Sequence, residues 1–151
     1  MMNVETAQFG QLEVPDEQVY HFSKGIPGFE SHSTFAVIDV GEGPFSYLQS
    51  LQESHISLLM TDPFVFYPNY EFDLPESIVE EMELDSALLI RCIVTINEDA
   101  AQSTINLLAP LVFNLENKSA RQVILHNSEY QSRHPLWLSG EKPTPSEKAG
   151  E

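Results

Sequence analysis

The sequence predicts an all-β fold, either a small bent antiparallel sheet or a half-open β-barrel, with one short helix. Two observations lead to this prediction. About nine short segments carry apolar or β-branched residues near period two, and clusters of Gly, Pro, Asn and Asp separate them. One segment alone has the spacing of an amphipathic helix.

The chain is long enough to bury a core as one domain, with 151 residues of which 42% are hydrophobic. We assign residues 1–138 to that single domain. We expect residues 139–151, an acidic and proline-containing tail, to be disordered because it offers almost no apolar side chains to a core.

Strands are predicted throughout the first 61 residues. Residues 4–14 show alternation with Gly10 as a turn or bulge, and the short strand at 19–22 ends in a glycine- and proline-rich turn at 23–28. Further strands are predicted at 34–40, 45–51 and 56–61.

An aromatic segment and the helix follow. Residues 62–74 contain two prolines and therefore cannot form a central strand throughout. Residues 75–83 predict the helix: Asp73 or Leu74 at its cap, Pro75 in its first turn, and three apolar side chains on one face, Ile78, Val79 and Met82. We expect this helix to lie across an open end or edge of the barrel.

The remaining strands lie between residues 87 and 126. Residues 87–96 are apolar nearly throughout and predict a buried strand. Residues 104–108 and 111–115 predict one long strand that is bent or bulged at Pro110, and residues 122–125 complete a hairpin after a polar turn.

The charge is strongly negative. Seven Lys and Arg against 23 Asp and Glu give a net charge of −16, and no Lys or Arg occurs between Gly25 and Ile90. Such a surface repels phosphate groups, so direct binding to nucleic acid or to an anionic membrane is not expected. It attracts a basic protein partner, and its self-repulsion favours a monomer.

Nothing in the pattern points to catalysis, a metal or a cofactor. The five histidines lack ligand spacing, and neither a phosphate-binding glycine loop nor a nucleophile elbow is present. The single cysteine, Cys92, lies in a buried strand and excludes an internal disulfide. Because a signal peptide and a long apolar span are also missing, we expect a cytoplasmic protein.

The candidate binding residues lie in the acidic and aromatic middle of the chain. Carboxylates on one exposed helix side indicate either a merely solvated face or a docking surface for a basic protein, and aromatic residues near them add apolar contact. The bent segment 106–110 is interpreted first as a strand kink and second as an exposed edge. The candidate set is Phe64, Tyr67, Tyr70, Glu71, Asp73, Glu76, Glu80, Glu81, Glu83, Asn106 and Pro110.

An alternative hypothesis is a ligand-binding or enzymatic barrel of unknown substrate. In this case the aromatic residues would line a pocket mouth, with Tyr47, His55 or Asn106 converging inside. A barrel interior filled by side chains would exclude it.

Four stretches of the chain resemble the FliW flagellar assembly factor family: residues 22–30, 62–74, 106–112 and 128–136. They occur in the same order and with similar spacing, so the resemblance covers roughly residues 3–138. Asp62 departs from it, since the family usually has Asn there.

The resemblance implies a cytoplasmic, non-enzymatic protein with a small barrel-like fold. It also implies two partners, flagellin and the RNA-binding translational repressor CsrA. Binding the repressor would relieve its block on flagellin mRNA, and flagellin would compete for the same factor. The acidic face would either mimic RNA or dock beside the RNA site; we favour docking beside it, because charge repulsion acts over about 8 Å at physiological salt.

Overall fold

A strongly bent antiparallel sheet forms the body of the protein in a computed structural model, which describes residues 1–85, 87–126 and 128–137. The strands are β1 (Met2–Thr6), β2 (Gly10–Val14), β3 (Val19–His21), β4 (Thr34–Asp39), β5 (Phe45–Ser50), β6 (Ser57–Thr61), β7 (Leu88–Thr95), β8 (Thr104–Ile105), β9 (Leu111–Asn114), β10 (Ala120–Gln122) and β11 (His134–Pro135). The helices are α1 (Pro63–Phe66) and α2 (Glu76–Glu81). The predicted tail at 139–151 and the boundary at residue 138 lie outside the described residues.

The main sheet curls into a half-open barrel. Its strand order is β10-β9-β7-β6-β5-β4-β3, and each pairing is antiparallel. The two outer strands meet at a single backbone bridge between His21 and Ser119, where the His21 N–H donates to the Lys118 carbonyl at 2.9 Å. No further pairing joins these two strands in the described residues, so the barrel is not closed, which confirms the predicted fold class.

Apolar side chains fill the barrel interior. The rings of Phe22, Phe35 and Phe113 are fully buried, and Phe22 contacts each of the other two edge-to-face with ring centroids 5.3 and 5.9 Å apart. Leu48, Met60 and other alternate strand residues complete this core. The alternation that predicted the strands arises because one side chain in two enters this interior.

Strand β7 is apolar nearly throughout because it is covered on both faces. Leu89 and Ile93 pack on the interior core, whereas Cys92 and Val94 belong to a second core outside the barrel. The aromatic segment at 63–72 and the chain around Leu136 cover that outer core. The buried strand predicted at 87–96 is confirmed.

The segment around Pro110 is an excursion from β7 rather than a simple bend. Ile105 pairs with Val94, and Leu111 pairs with Arg91. The chain therefore advances six residues between two pairings that are only three residues apart on β7. The prediction of one long strand is therefore wrong in detail, because the extra residues loop out and separate β8 from β9. The Asn106 side chain holds the loop by accepting from the backbone N–H groups of Leu108 and Ala109.

The described residues contain two short α-helices where the sequence predicted one. Helix α1 begins at Pro63, and the Asp62 carboxylate accepts a hydrogen bond from the Phe64 N–H at 3.0 Å. Helix α2 starts one residue later than predicted, after Pro75 and with no side-chain cap, so the predicted cap at Asp73 or Leu74 is wrong.

Helix α2 packs on the outer face of the sheet, not across an open end. Ile78 of the helix and Met82, the residue that caps its C-terminus, are buried and pack with Val112 of β9 and with Val123. Val112 points away from the interior because its neighbours Leu111 and Phe113 point into it. Ile78 and Met82 of the predicted inner face are thus confirmed as buried, and Val79 is half-buried. Of the two predicted positions the open end is wrong, whereas contact with Val123 places the helix beside the edge strand β10.

Candidate partner-binding surface

The candidate residues divide into three groups by exposure. Phe64, Glu71, Asp73 and the four helix carboxylates Glu76, Glu80, Glu81 and Glu83 are exposed. Tyr67 and Asn106 are half-buried, and Tyr70 and Pro110 are buried. Only the first group presents substantial surface to a partner.

Tyr70 lies inside the outer core and supports the surface from beneath. It is 4% exposed, and its hydroxyl donates to the Leu107 carbonyl at 2.7 Å. The Cys92 sulfur lies 4.0 Å from the Tyr70 hydroxyl oxygen. Burial raises the pKa of Tyr70 above its ordinary value and raises the pKa of Cys92 to about 12. Its burial means that the contact role predicted for Tyr70 does not fit the free chain.

Pro110 and Asn106 also have structural roles. Pro110 is buried, and its carbonyl accepts from the Val123 N–H, so it cannot be the apolar contact that the sequence predicted. The Asn106 side-chain oxygen is engaged with the backbone of the loop. Tyr67 is tied down through its hydroxyl, which donates to the Pro135 carbonyl.

An aromatic and acidic surface remains, centred above Tyr70. Phe64 is 42% exposed with its ring 5.8 Å from that of Tyr70, and Tyr130 stacks edge-on against Tyr70 at 4.7 Å. Beside these rings lies a hollow of about 500 Å³, which we call the acidic hollow. Its lining includes Glu71, Asp73, Glu129, Phe72, Leu125 and Tyr130.

The acidic hollow combines the two features expected of a site for a basic protein. Its carboxylates come from two separate stretches of chain, 71–73 and 129, and the aromatic side chains of Phe72 and Tyr130 lie among them. The Tyr130 hydroxyl accepts from the Glu71 N–H at 3.1 Å, which joins the two stretches.

Three of the four helix carboxylates are free to act on a partner, and the fourth is not. Glu81 forms ion pairs with Lys24, at 3.5 Å, and with Arg121. The interpretation of Glu81 as a free attracting charge is therefore corrected: two cations already neutralise it. Glu76, Glu80 and Glu83 remain exposed.

A second hollow of about 520 Å³, which we call the basic hollow, lies where these cations converge. Lys24, Gly25 and Arg121 line one part, and Ile78, Val123 and Ile124 line another.

Known proteins show to which family this chain belongs. The model of the FliW protein family matches residues 3–136. This chain belongs to the FliW family.

Individual FliW relatives cover nearly the whole chain. The flagellar assembly factor FliW of Bacillus subtilis (strain 168) is 38% identical over 138 residues, 89% of this chain and 96% of that protein. That of Desulfitobacterium hafniense (strain Y51) is 42% identical over 139 residues, 90% of this chain and 91% of that protein. A solved structure described as the crystal structure of the flagellar assembly factor FliW is 29% identical, has a TM-score of 0.84, and covers 90% of this chain and 97% of that one.

The FliW family match favours a non-enzyme, since these relatives are named as assembly factors. In the described residues, the three polar side chains expected to converge inside a ligand-binding barrel each lie elsewhere. Tyr47 lies beside Gln8 on the outside, and His55 is exposed next to Glu53. Asn106 holds its own loop, and aromatic rings occupy the barrel interior. None of the helices in the described residues is long and apolar enough to span a bilayer.

Sequence reasoning missed several residues of this FliW surface. Glu129 and Tyr130 lie in the stretch that carried the family resemblance, so a signal for them existed. Lys24 and Arg121 are two of only seven Lys and Arg in an acidic chain, and this rarity could have marked them as partners of a carboxylate. Ile124 gave none, because an apolar residue in a predicted hairpin is ordinarily assigned to the core.

Proposed function

We propose that this protein is a cytoplasmic flagellar assembly factor that binds flagellin and a CsrA-type translational repressor in turn. Binding the repressor relieves its block on flagellin mRNA, and flagellin competes for the same factor, so its export frees the factor to act. The match to the FliW family over residues 3–136 carries this proposal. The relatives' printed names support the flagellar role.

The charge distribution supports a basic, RNA-binding partner. The net charge of −16 attracts such a protein over distances comparable to the Debye length, about 8 Å at physiological salt. Glu76 and Glu80 on α2, Glu83 just after it and the carboxylates of the acidic hollow are exposed, so they contribute to this field.

We propose that the protein docks beside the repressor's RNA site and disfavours RNA by charge repulsion and distortion. Equilibrium competition distinguishes this mechanism from RNA mimicry. If RNA raises the apparent Kd of the repressor for this protein only to a plateau, docking beside the site is supported. A rise without limit as RNA increases contradicts it.

The acidic helix is tested by reversing its free charges. Changing Glu76, Glu80 and Glu83 to Lys should slow association with the repressor about tenfold or more at low salt and flatten its dependence on salt, with a smaller effect on dissociation. Stopped-flow fluorescence measures both rates. Glu81 is left unchanged because it holds Lys24 and Arg121.

A matched control reverses the same number of exposed charges elsewhere. Glu5, Glu13 and Glu17 lie in or just after the β1–β2 hairpin. If both triple variants slow association equally, net charge alone is responsible and α2 is not at the interface.

A further inference from the structure

The last strand of the barrel continues as an unpaired edge. The N–H groups of Val123 and Leu125 donate to the carbonyls of Pro110 and Leu108, each at 2.9 Å. Ile124, between them, therefore turns its own N–H and C=O to the opposite side. Within residues 1–85, 87–126 and 128–137 neither group has a hydrogen-bond partner, and the Ile124 side chain is 51% exposed.

The two hollows join along this edge into one groove, which we call the seam groove. Both are lined by Pro75 and His126, so the basic hollow and the acidic hollow adjoin at these two residues. The basic hollow lies between the chain that follows His21, at Lys24, Gly25 and Pro27, and the chain that follows Ser119, from Arg121 to Ile124. From Gln122 to His126 the extended chain spans about 13 Å, room for a short strand.

The charges along the seam groove differ between its ends. Lys24 and Arg121 sit at one end, where Glu81 offsets one of their two charges. Glu71, Asp73 and Glu129 sit at the other end. Apolar side chains line the middle, among them Ile78, Leu74 and Leu125.

We propose that the seam groove binds an extended segment of the basic repressor, which adds as a strand to the edge at Ile124 and places a Lys or Arg side chain in the acidic hollow. The backbone N–H and C=O of Ile124 form main-chain hydrogen bonds with the added strand, and the carboxylates of the acidic hollow favour a positively charged side chain. This inference rests on the proposed function, and it adds the mode of binding and the location. Over the whole groove three carboxylates, Glu71, Asp73 and Glu129, outnumber the two cations Lys24 and Arg121, which Glu81 partly neutralises. This balance favours the basic repressor over flagellin as the occupant, with its Lys or Arg at the acidic end.

The test removes the Ile124 N–H. Ile124→Pro should weaken binding of the purified repressor about tenfold or more, because it deletes one donor and places a ring on the edge. The fold should survive, since this N–H has no partner among the described residues. Ile124→Thr retains the N–H and should bind within about threefold of the unaltered protein. Ile96→Pro, at an isoleucine 58% exposed and outside the groove, is the matched control.

Hydrogen exchange provides a second measurement that needs no substitution. In the complex with the repressor the Ile124 amide should exchange at least about tenfold more slowly than in the free protein. This result decides the matter if Ile124→Pro fails to fold. Three results would each overturn the inference while leaving the proposed function standing. They are unchanged affinity of a folded Ile124→Pro variant for the repressor, an Ile124 amide that the repressor does not protect, and protection of that amide by flagellin but not by the repressor. If the unaltered protein binds neither flagellin nor the repressor, the proposed function fails first.

Discussion

Replacing Asn114 should loosen the acidic helix where its C-terminal end meets the barrel. This side chain of β9 is 2% exposed and lies between two parts of the chain. Its amide donates to the carbonyls of Met82, at 2.9 Å, and Glu83, at 3.3 Å, which end helix α2. Its oxygen accepts from the N–H groups of Glu116, at 2.9 Å, and Asn117, at 3.3 Å.

The cost of Asn114→Ala follows from these contacts. The two bonds at 2.9 Å contribute about 1 kcal/mol each, and the two at 3.3 Å contribute less because they are longer than normal. The Met82 carbonyl keeps a second donor, the Asn117 amide at 3.1 Å, so it is not left unpaired. We therefore expect a loss of about 2–3 kcal/mol in the free energy of unfolding.

Urea denaturation followed by the fluorescence of Trp137 measures this loss, since that residue is the only tryptophan of the chain. Asn3→Ala removes the same side chain from an exposed position on β1 and should change stability by less than about 0.5 kcal/mol. Hydrogen exchange should also show faster opening of α2 in Asn114→Ala. Equal stability of the two variants would refute the claim that Asn114 fastens the helix.

Two further predictions concern the outer core and the turn beside the seam groove. Burial raises the pKa of Cys92 from an ordinary value of 9.0 to about 12 in the folded protein, so its contribution to the free energy of unfolding is complete below pH 9 and falls by about 1.4 kcal/mol per pH unit as pH rises toward 12. Urea midpoints measured from pH 8 to 11 should therefore fall less steeply in Cys92→Ala than in the unaltered protein. Identical slopes would contradict this prediction. Gly25 has φ +68° and a Cβ there would lie 2.8 Å from the Glu30 Cα, whereas Gly28, with φ +91°, faces open space. Gly25→Ala should therefore cost more than the about 1–2 kcal/mol expected for the backbone strain of Gly28→Ala in thermal unfolding, and equal costs would show that the close approach is unimportant.

The strands could be predicted from the sequence because each carries its own burial pattern. Residues 34–40 and 45–51 alternate since one face enters the barrel, and residues 87–96 are continuously apolar since both faces of β7 are covered. Helix α1 escaped prediction because one turn of Pro-Phe-Val-Phe has too few residues to show helical spacing. Asp62 and Pro63 were the available signal, an N-cap followed by proline at the first helical position.

The binding surface could be predicted only in outline. The abundance of carboxylates and aromatic residues is a property of the sequence, but which of them is free depends on distant partners. Glu81 is neutralised because the fold brings Lys24 and Arg121 to it. Tyr70 is buried because Leu107 and Tyr130 close over it. Such exposures are set by tertiary packing, which no local pattern contains.

The net charge and the open strand edge are physically connected. An exposed edge ordinarily invites pairing with a second copy of the same chain, and proteins suppress this by covering or charging it. Here the edge at Ile124 stays uncovered, but two copies approaching each other each carry a net charge of −16, and the groove beside the edge contributes Glu71, Asp73 and Glu129. Repulsion therefore opposes self-pairing, whereas the same field attracts a basic chain. An acidic body thus allows a strand edge to remain available for a partner of opposite charge.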